Sequence, residues 1–190
     1  MNTPYGLEIV ENCQVCKIRR EECFCNLSPA VLKQFSAISH QTTFPADATL
    51  FVEGQSPRGV FLLCSGKVKL STSSRDGKVL ILKMAGPGEM LGLSAAISGT
   101  EYELTAETAV PCQVNFVPRE PLLDLLARFG EAGLRSAQAL SRGVSVGVPG
   151  HSRSDPGEIV SGEAGQIAVV VDASGSSRNE RDPGTLGPDA

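Results

Sequence analysis

The sequence predicts an α+β architecture that is mainly β: one β unit of barrel, roll or sandwich form, with helices flanking it. Three observations predict it. Between about 42 and 117 run short segments that are β-branched or alternating, "ATLFVEG", "GVFLLCSG", "KVKLSTSS", "KVLILKM" and "CQVNFV", separated by Gly, Pro or Asp-Gly steps. A stretch of helical periodicity lies on either side of them. With 190 residues and 41% apolar content, the chain can build one such core and an appendage.

Taken in order, residues 1–27 are a cysteine-rich segment. "ENCQVCKIRREECFCNLS" places Cys13, Cys16, Cys23 and Cys25 within thirteen residues, and the remaining cysteines are Cys64 and Cys112. The N-terminus "MNTPYGLEIVEN" lacks the basic-then-apolar layout of a secretory signal, and no apolar run approaches the ~18–20 residues that span a bilayer. The expected location is the cytosol, where thiols stay reduced, so clustered cysteines point to metal or redox chemistry ahead of disulfides.

Residues 28–118 hold the β unit and the helix that leads into it. Ser28 is placed to cap that helix, Pro29 suits its first position, and Leu27 and Leu32 sit at staple spacing. Leu32, Phe35 and Ile38 give it one apolar face. Asp76-Gly77 predicts a hairpin turn between "LSTSSR" and "KVLILK". A helix over 119–142 follows, begun by Pro118 to Pro121 and interrupted around Gly130 and Gly133, with Leu134, Ala137 and Leu140 forming an apolar stripe that asks for a partner. The pattern then stops. Interior glycines such as Gly143, Gly147 and Gly150 each cost a helix about 1 kcal/mol relative to Ala, and 20 of the 48 residues from 143 to 190 are Gly, Pro or Ser. That tail is expected to be disordered, with "QIAVVVDA" its one run able to form a strand.

The net charge of −4 is localised. Residues 1–142 carry 14 Lys+Arg against 14 Asp+Glu, whereas the tail carries 3 against 7. Neither part supplies the clustered cations of a nucleic-acid surface. Enzyme chemistry finds no support either: His40 and His151 are far apart and flanked by no nucleophile motif, and Gly-x-Ser-x-Gly, Walker-type and His-Glu-x-x-His patterns are absent.

The order of parts over residues 8–142 resembles the Crp/Fnr superfamily of bacterial transcription regulators. The likeness is carried by "FPADATLFVEGQSPRGVFLLCSGKVKLSTSSRDGKVLILKMAGPGEMLGLSAAISG", then "ELTAETAVPCQVNFVPRE", then a helix. It implies a cyclic-nucleotide-binding-type β-roll, a dimerisation helix and a C-terminal winged helix-turn-helix. Cysteines ahead of the roll, and Cys112 after "AETAV", resemble the oxygen-responsive Fnr branch. That branch holds a [4Fe–4S] cluster by three N-terminal cysteines and one distal one.

By that resemblance Cys13, Cys16 and Cys112 are ligands, with either Cys23 or Cys25 as the third N-terminal donor. Thiolates suit such soft centres, and a Cys-x₂-Cys step can place two sulfurs on one ion. The alternative is zinc on Cys13, Cys16, Cys23 and Cys25 without Cys112, although the single residue between Cys23 and Cys25 is tight for a zinc knuckle. The plainer reading is a set of free thiols. Alternation in "PCQVNFV" puts Cys112 on one face with Val114 and Phe116, and ligation is lost if that face is core; Cys64, inside "VFLLCSG", reads as core.

Relatives that bind cyclic AMP resemble one another in a cassette after the "PGE" turn, where a Glu holds the ribose and an Arg the cyclic phosphate. Gly88, Glu89 and Gly92 keep the turn, but Leu93 stands at the ribose position and no Arg occurs between Arg75 and Arg119. Glu101 and Glu103 are there instead, and a phosphate facing carboxylates meets Coulomb repulsion in a pocket of low dielectric. The cassette thus argues against a cyclic nucleotide, leaving the glycines a structural role in turns.

The expected partner is a second copy through 131–142. DNA reading, expected of the family, needs a recognition helix that residues 143–190 do not encode. A reading-frame shift near Ser141–Gly143 would produce such a break in mid-helix, which the nucleotide sequence can check.

Overall fold

The computed structural model describes residues 4–7, 9, 13–17, 19–74, 78–143 and 169–171. Two single-turn helices, Pro4–Gly6 and Cys13–Val15, precede α1 (Pro29–Ile38). Then come β1 (His40–Phe44), β2 (Thr49–Phe51), β3 (Gly59–Ser65), β4 (Val68–Ser73), β5 (Val79–Ala85) and β6 (Met90–Leu91). They are followed by α2 (Leu93–Ser98), β7 (Thr105–Thr108), β8 (Cys112–Pro118), α3 (Arg119–Arg128), α4 (Gly130–Gly143) and β9 (Val169–Val171). One sheet has the order β1-β8-β3-β6 and the other β2-β7-β4-β5-β9, with antiparallel pairing throughout.

Strand alternation divides the interior into two cores. On β8, Cys112 and Val114 point into the roll, where they meet Phe51, Leu63, Val68, Ala85 and Ala106 from both sheets. Val117 of β8, with Val60 and Leu62 of β3, points the other way into a core built with Phe24, Leu27, Leu32, Phe35 and Leu122. The β1-β8-β3-β6 sheet is therefore covered on both faces, by its partner sheet and by a helical layer. Its central strands accordingly read as continuous apolar runs.

Leu27 and Leu32 are both buried in the helix-side core, as staple spacing requires, and Phe35 is fully enclosed with its ring 5.5 Å from that of Phe24. Ser28 departs from expectation. Its side chain makes no cap bond to α1; its hydroxyl and backbone N–H instead donate to the two carboxylate oxygens of Glu131 on α4, each at 2.7 Å. Capping partners depend on what lies opposite in space, which local spacing does not encode.

The β4–β5 hairpin forms, with Ser74 N–H donating to the Lys78 carbonyl at 2.8 Å; the Asp76-Gly77 step lies outside the described residues. The helix expected over 119–142 is two helices. Phe129 leaves helical geometry (φ −120°, ψ 99°), and α4 restarts at Gly130. The break turns Ala132 and Ser136 inward, with Leu140 packed against the same core, and leaves Leu134 61% exposed. In the tail, Val169–Val171 pairs with the β5 edge, in line with the strand-forming run, and the disorder expected of the remainder falls outside the described residues. Among the described residues, no helix is long and apolar enough to cross a membrane.

Candidate functional site

Of the described residues in 13–17 and 19–27, Cys13, Phe24, Cys25 and Leu27 lie over the helix side of the sheet. Cys13 and Cys25 pack against that core, and Cys13 Sγ accepts a hydrogen bond from Asn115 Nδ2 of β8 at 3.4 Å. Burial pushes the Cys25 thiol from its ordinary 9.0 up to about 12, helped by the neighbouring thiols of Cys23, Cys16 and Cys13. Cys13, Cys16 and Cys25 are half-buried, in contrast to Cys23. The Cys23 sulfur turns toward the roll, where it accepts from Arg20 N at 3.4 Å and fills the space beside Gly88 in which a Cβ would sit. Of the two candidates for a third N-terminal donor, Cys25 packs against the helix-side core as Cys13 does, while the neighbouring Cys23 places its sulfur against Gly88.

Cys112 is not brought to these thiols. It is fully buried on the roll side of β8, with its thiol in donating reach of the Val110 carbonyl (3.1 Å) and the Lys67 carbonyl (3.3 Å). Burial raises its pKa, as expected of a thiol serving as core. The sheet itself separates it from the N-terminal segment.

Cys64 occupies the place that Cys112 does not. It sits at an irregularity of β3, where the register against β8 shifts between Leu63 and Ser65. Such a bulge re-aims a side chain. Its thiol is half-buried, is directed at the Leu62 carbonyl at 3.8 Å, and is pushed up to about 12 by burial and then by the thiols of Cys13, Cys25 and Cys16. Against the expectation of a core position, Cys64 is half-buried, not buried. Among the described residues, no three His, Cys, Asp or Glu side chains stand close enough as they are to hold a metal ion.

A second feature lies on the other side of the segment. A cavity of about 770 Å³ opens between the roll and the strap 20–24, floored by Leu91, Leu93, Phe51 and Tyr102. Gly92, at φ +76°, allows the Tyr102 ring to approach where a Cβ would clash; that ring stacks on Phe51 at 4.1 Å and its hydroxyl donates to the Gly59 carbonyl at 2.7 Å. Burial raises the Tyr102 pKa.

The charges around the cavity are mixed. Glu103 lines it, whereas Leu93, at the position a ribose-holding Glu would take, is buried. The sequence reading overlooked Lys83 of β5, Arg20 and Arg142, which also line it. Lys83 is already neutralised by Glu89 at 2.7 Å, and Arg142 Nη2 donates to the Glu22 carbonyl at 2.8 Å. Alternation on β5 placed Lys83 on a face, but only the fold places that face on the cavity.

The same strap is tied to α4. Besides the Ser28–Glu131 pair and the Arg142 bond, Arg135 Nη1 donates to the Glu21 carbonyl at 2.7 Å. A displacement of the thiol-bearing segment therefore reaches α4 through three side chains.

Comparison with known proteins agrees with this geometry. Residues 41–129 match the family pattern of the cyclic nucleotide-binding domain. A CRP-like cAMP-activated global transcriptional regulator of Mycobacterium tuberculosis is 23% identical over 125 residues, covering 66% of this chain and 56% of the relative. The cyclic AMP receptor protein of Thermus thermophilus is 24% identical over 119 residues, covering 63% and 55%. The chain thus spans a little over half the length of the curated relatives it matches. Among solved structures, the Thermus thermophilus catabolite activator protein superposes with a TM-score of 0.59 at 23% identity, over 66% of this chain and 59% of that one. The N-terminal domain of a Streptomyces coelicolor transcriptional regulator gives 0.55 at 23% identity, over 67% and 90%. These relatives are named as regulators; residues 41–129 of this chain match the cyclic nucleotide-binding domain, and the solved structures share its fold.

Proposed function

We propose that this chain is the sensory domain of a Crp/Fnr-type transcription regulator, and that its signal enters through the N-terminal thiols rather than through a cyclic nucleotide in the roll. The observation that carries the reading is the packing of half-buried Cys13 and Cys25 against the helix-side core, with half-buried Cys16 a neighbour of Cys25. The Cys25 thiol, held protonated by burial and by its neighbours, becomes a thiolate donor when a metal supplies the opposing charge. The donor chemistry suits a [4Fe–4S] cluster, with zinc as the alternative; the arrangement that would take Cys112 as fourth ligand does not fit. When bound, a cluster supplies redox and oxygen sensitivity. The chain's own residues do the rest: Asn115 orients Cys13, and Glu131, Arg135 and Arg142 tie the segment to α4, the surface proposed for a second copy.

The relatives named for cyclic AMP favour the cavity as an input. Against this, the cavity offers Glu103 to an incoming phosphate, and its Lys83 is paired with Glu89. Arg20 and Arg142 are the remaining cations of its lining, and Glu103 opposes them where a phosphate would be desolvated.

Anaerobic purification tests the reading. Iron and acid-labile sulfide near four each per chain, lost in air, support the cluster; a colourless protein with equimolar zinc supports the alternative. Saturable cyclic AMP binding by a chain that takes up neither iron nor zinc overturns the proposal.

A further inference from the structure

The family likeness puts the fourth sulfur at Cys112, and the fold puts Cys112 on the wrong side of a sheet. Side chains on opposite faces of a strand pair cannot converge on one ion, because the backbone layer lies between them. Cys112 shares its face with Val114 and is sealed in the roll core with Phe51 and Leu63. Cys13 and Cys25 pack against Val60, Leu62 and Val117 on the reverse face.

Cys64 alternates in phase with Val60 and Leu62, and the irregularity at Leu63–Ser65 frees it from the ladder where the N-terminal segment crosses. Asn115 fixes where the N-terminal segment meets this face. Its side-chain amide donates to Cys13 at 3.4 Å, and in the ladder it stands opposite Leu62, two residues from Cys64 on β3.

We propose that Cys64 is the fourth sulfur of the N-terminal thiol site, completing a set with Cys13, Cys16 and Cys25 that takes a soft, thiophilic metal centre, and that Cys112 has no part in it. The inference rests on the metal-binding reading above and changes its donor set. Metal uptake draws the four thiols together from their present open arrangement, and each ligating thiol releases its proton to solvent.

The test uses the full chain under anaerobic conditions, with Co(II) and Zn(II) as probes and the Cys64→Ser and Cys112→Ser variants beside the unaltered protein. Thermal melts of the metal-free proteins check folding. The unaltered protein and Cys112→Ser should show the intense thiolate-to-cobalt absorption of four sulfurs. Cys64→Ser should keep its fold but lose at least about tenfold in affinity, a bound set by what outer-shell losses alone cost.

Loss in Cys112→Ser with retention in Cys64→Ser overturns the inference and leaves the metal reading standing. No cobalt or zinc uptake by the unaltered protein overturns both. Mild diamide oxidation, mapped by mass spectrometry, gives a readout free of metal: a disulfide from Cys64 to Cys13, Cys16 or Cys25 supports the geometry, and one from Cys112 to any of them overturns it.

Discussion

On the roll side of β8, Cys112 is fully enclosed with its thiol directed at backbone carbonyls; three residues on, on the helix side of the same strand, Asn115 reaches a half-buried cysteine from another part of the chain. The contrast holds across β3, where Leu63 is sealed in the roll and the adjacent Cys64 is half-buried outside that core. The roll side is closed by two sheets in which β4 and β5 pair as a hairpin and the other described strands pair with partners that are not their neighbours in the chain. The helix side is closed by segments from both ends of the domain, so its chemistry is assembled from distant residues. One face of the sheet serves as scaffold, and the other carries the groups that can respond.

Substitutions can break or sharpen that division. The largest effect is expected for Phe35→Ala, which empties the middle of the helix-side core and should cost about 3–5 kcal/mol by urea denaturation. If the division holds, it also loosens 20–28 to hydrogen exchange before β4 and β7 lose protection. Gly88→Ala comes next. At φ +93° the added Cβ meets the Cys23 sulfur, so strain and displacement together should cost about 2 kcal/mol and release the strap from the roll.

Tyr102→Phe, on the roll side, removes one buried hydrogen bond and should cost about 1 kcal/mol near neutral pH. Its pH dependence sharpens the comparison. The folded-state pKa lies above the ordinary 10.0, so the folded protein holds the phenolic proton where the unfolded chain has lost it. The contribution to stability is therefore complete below pH 10 and declines as pH rises through the folded value, and Tyr102→Phe should flatten that alkaline decline. The smallest effect is expected for Glu131→Ala, below about 1 kcal/mol because the pair is exposed. Its signature is faster amide exchange at Ser28, with the roll side unchanged.

Much of the fold was legible because it rests on local signals. Pro29 set the start of α1, and β-branched runs marked the strands. The break at Phe129 was legible only as a weakness around Gly130, since the direction of α4 is decided by packing of Ala132 and Ser136. In the site, spacing marked Cys13 and Cys16 as a pair. It did not separate Cys23 from Cys25, which differ only in the side of the strap they occupy. Alternation raised the roll core as a fate for Cys112. The apolar flank of Cys64 does not tell which layer covers it, and Lys83 was missed because its cavity is formed by residues far along the chain.

The strap also sets how motion can pass through the domain. Two of its ties to α4 end on main-chain oxygens, at Glu21 and Glu22, so the identities of those side chains are irrelevant to the grip. Ser28 and Arg142 anchor opposite ends of a span from 131 to 142, about 16 Å along the helix axis. A rod pinned at both ends of one flank does not slide against its fastening; it turns with it, and the flank bearing Leu134 sweeps through solvent as it does.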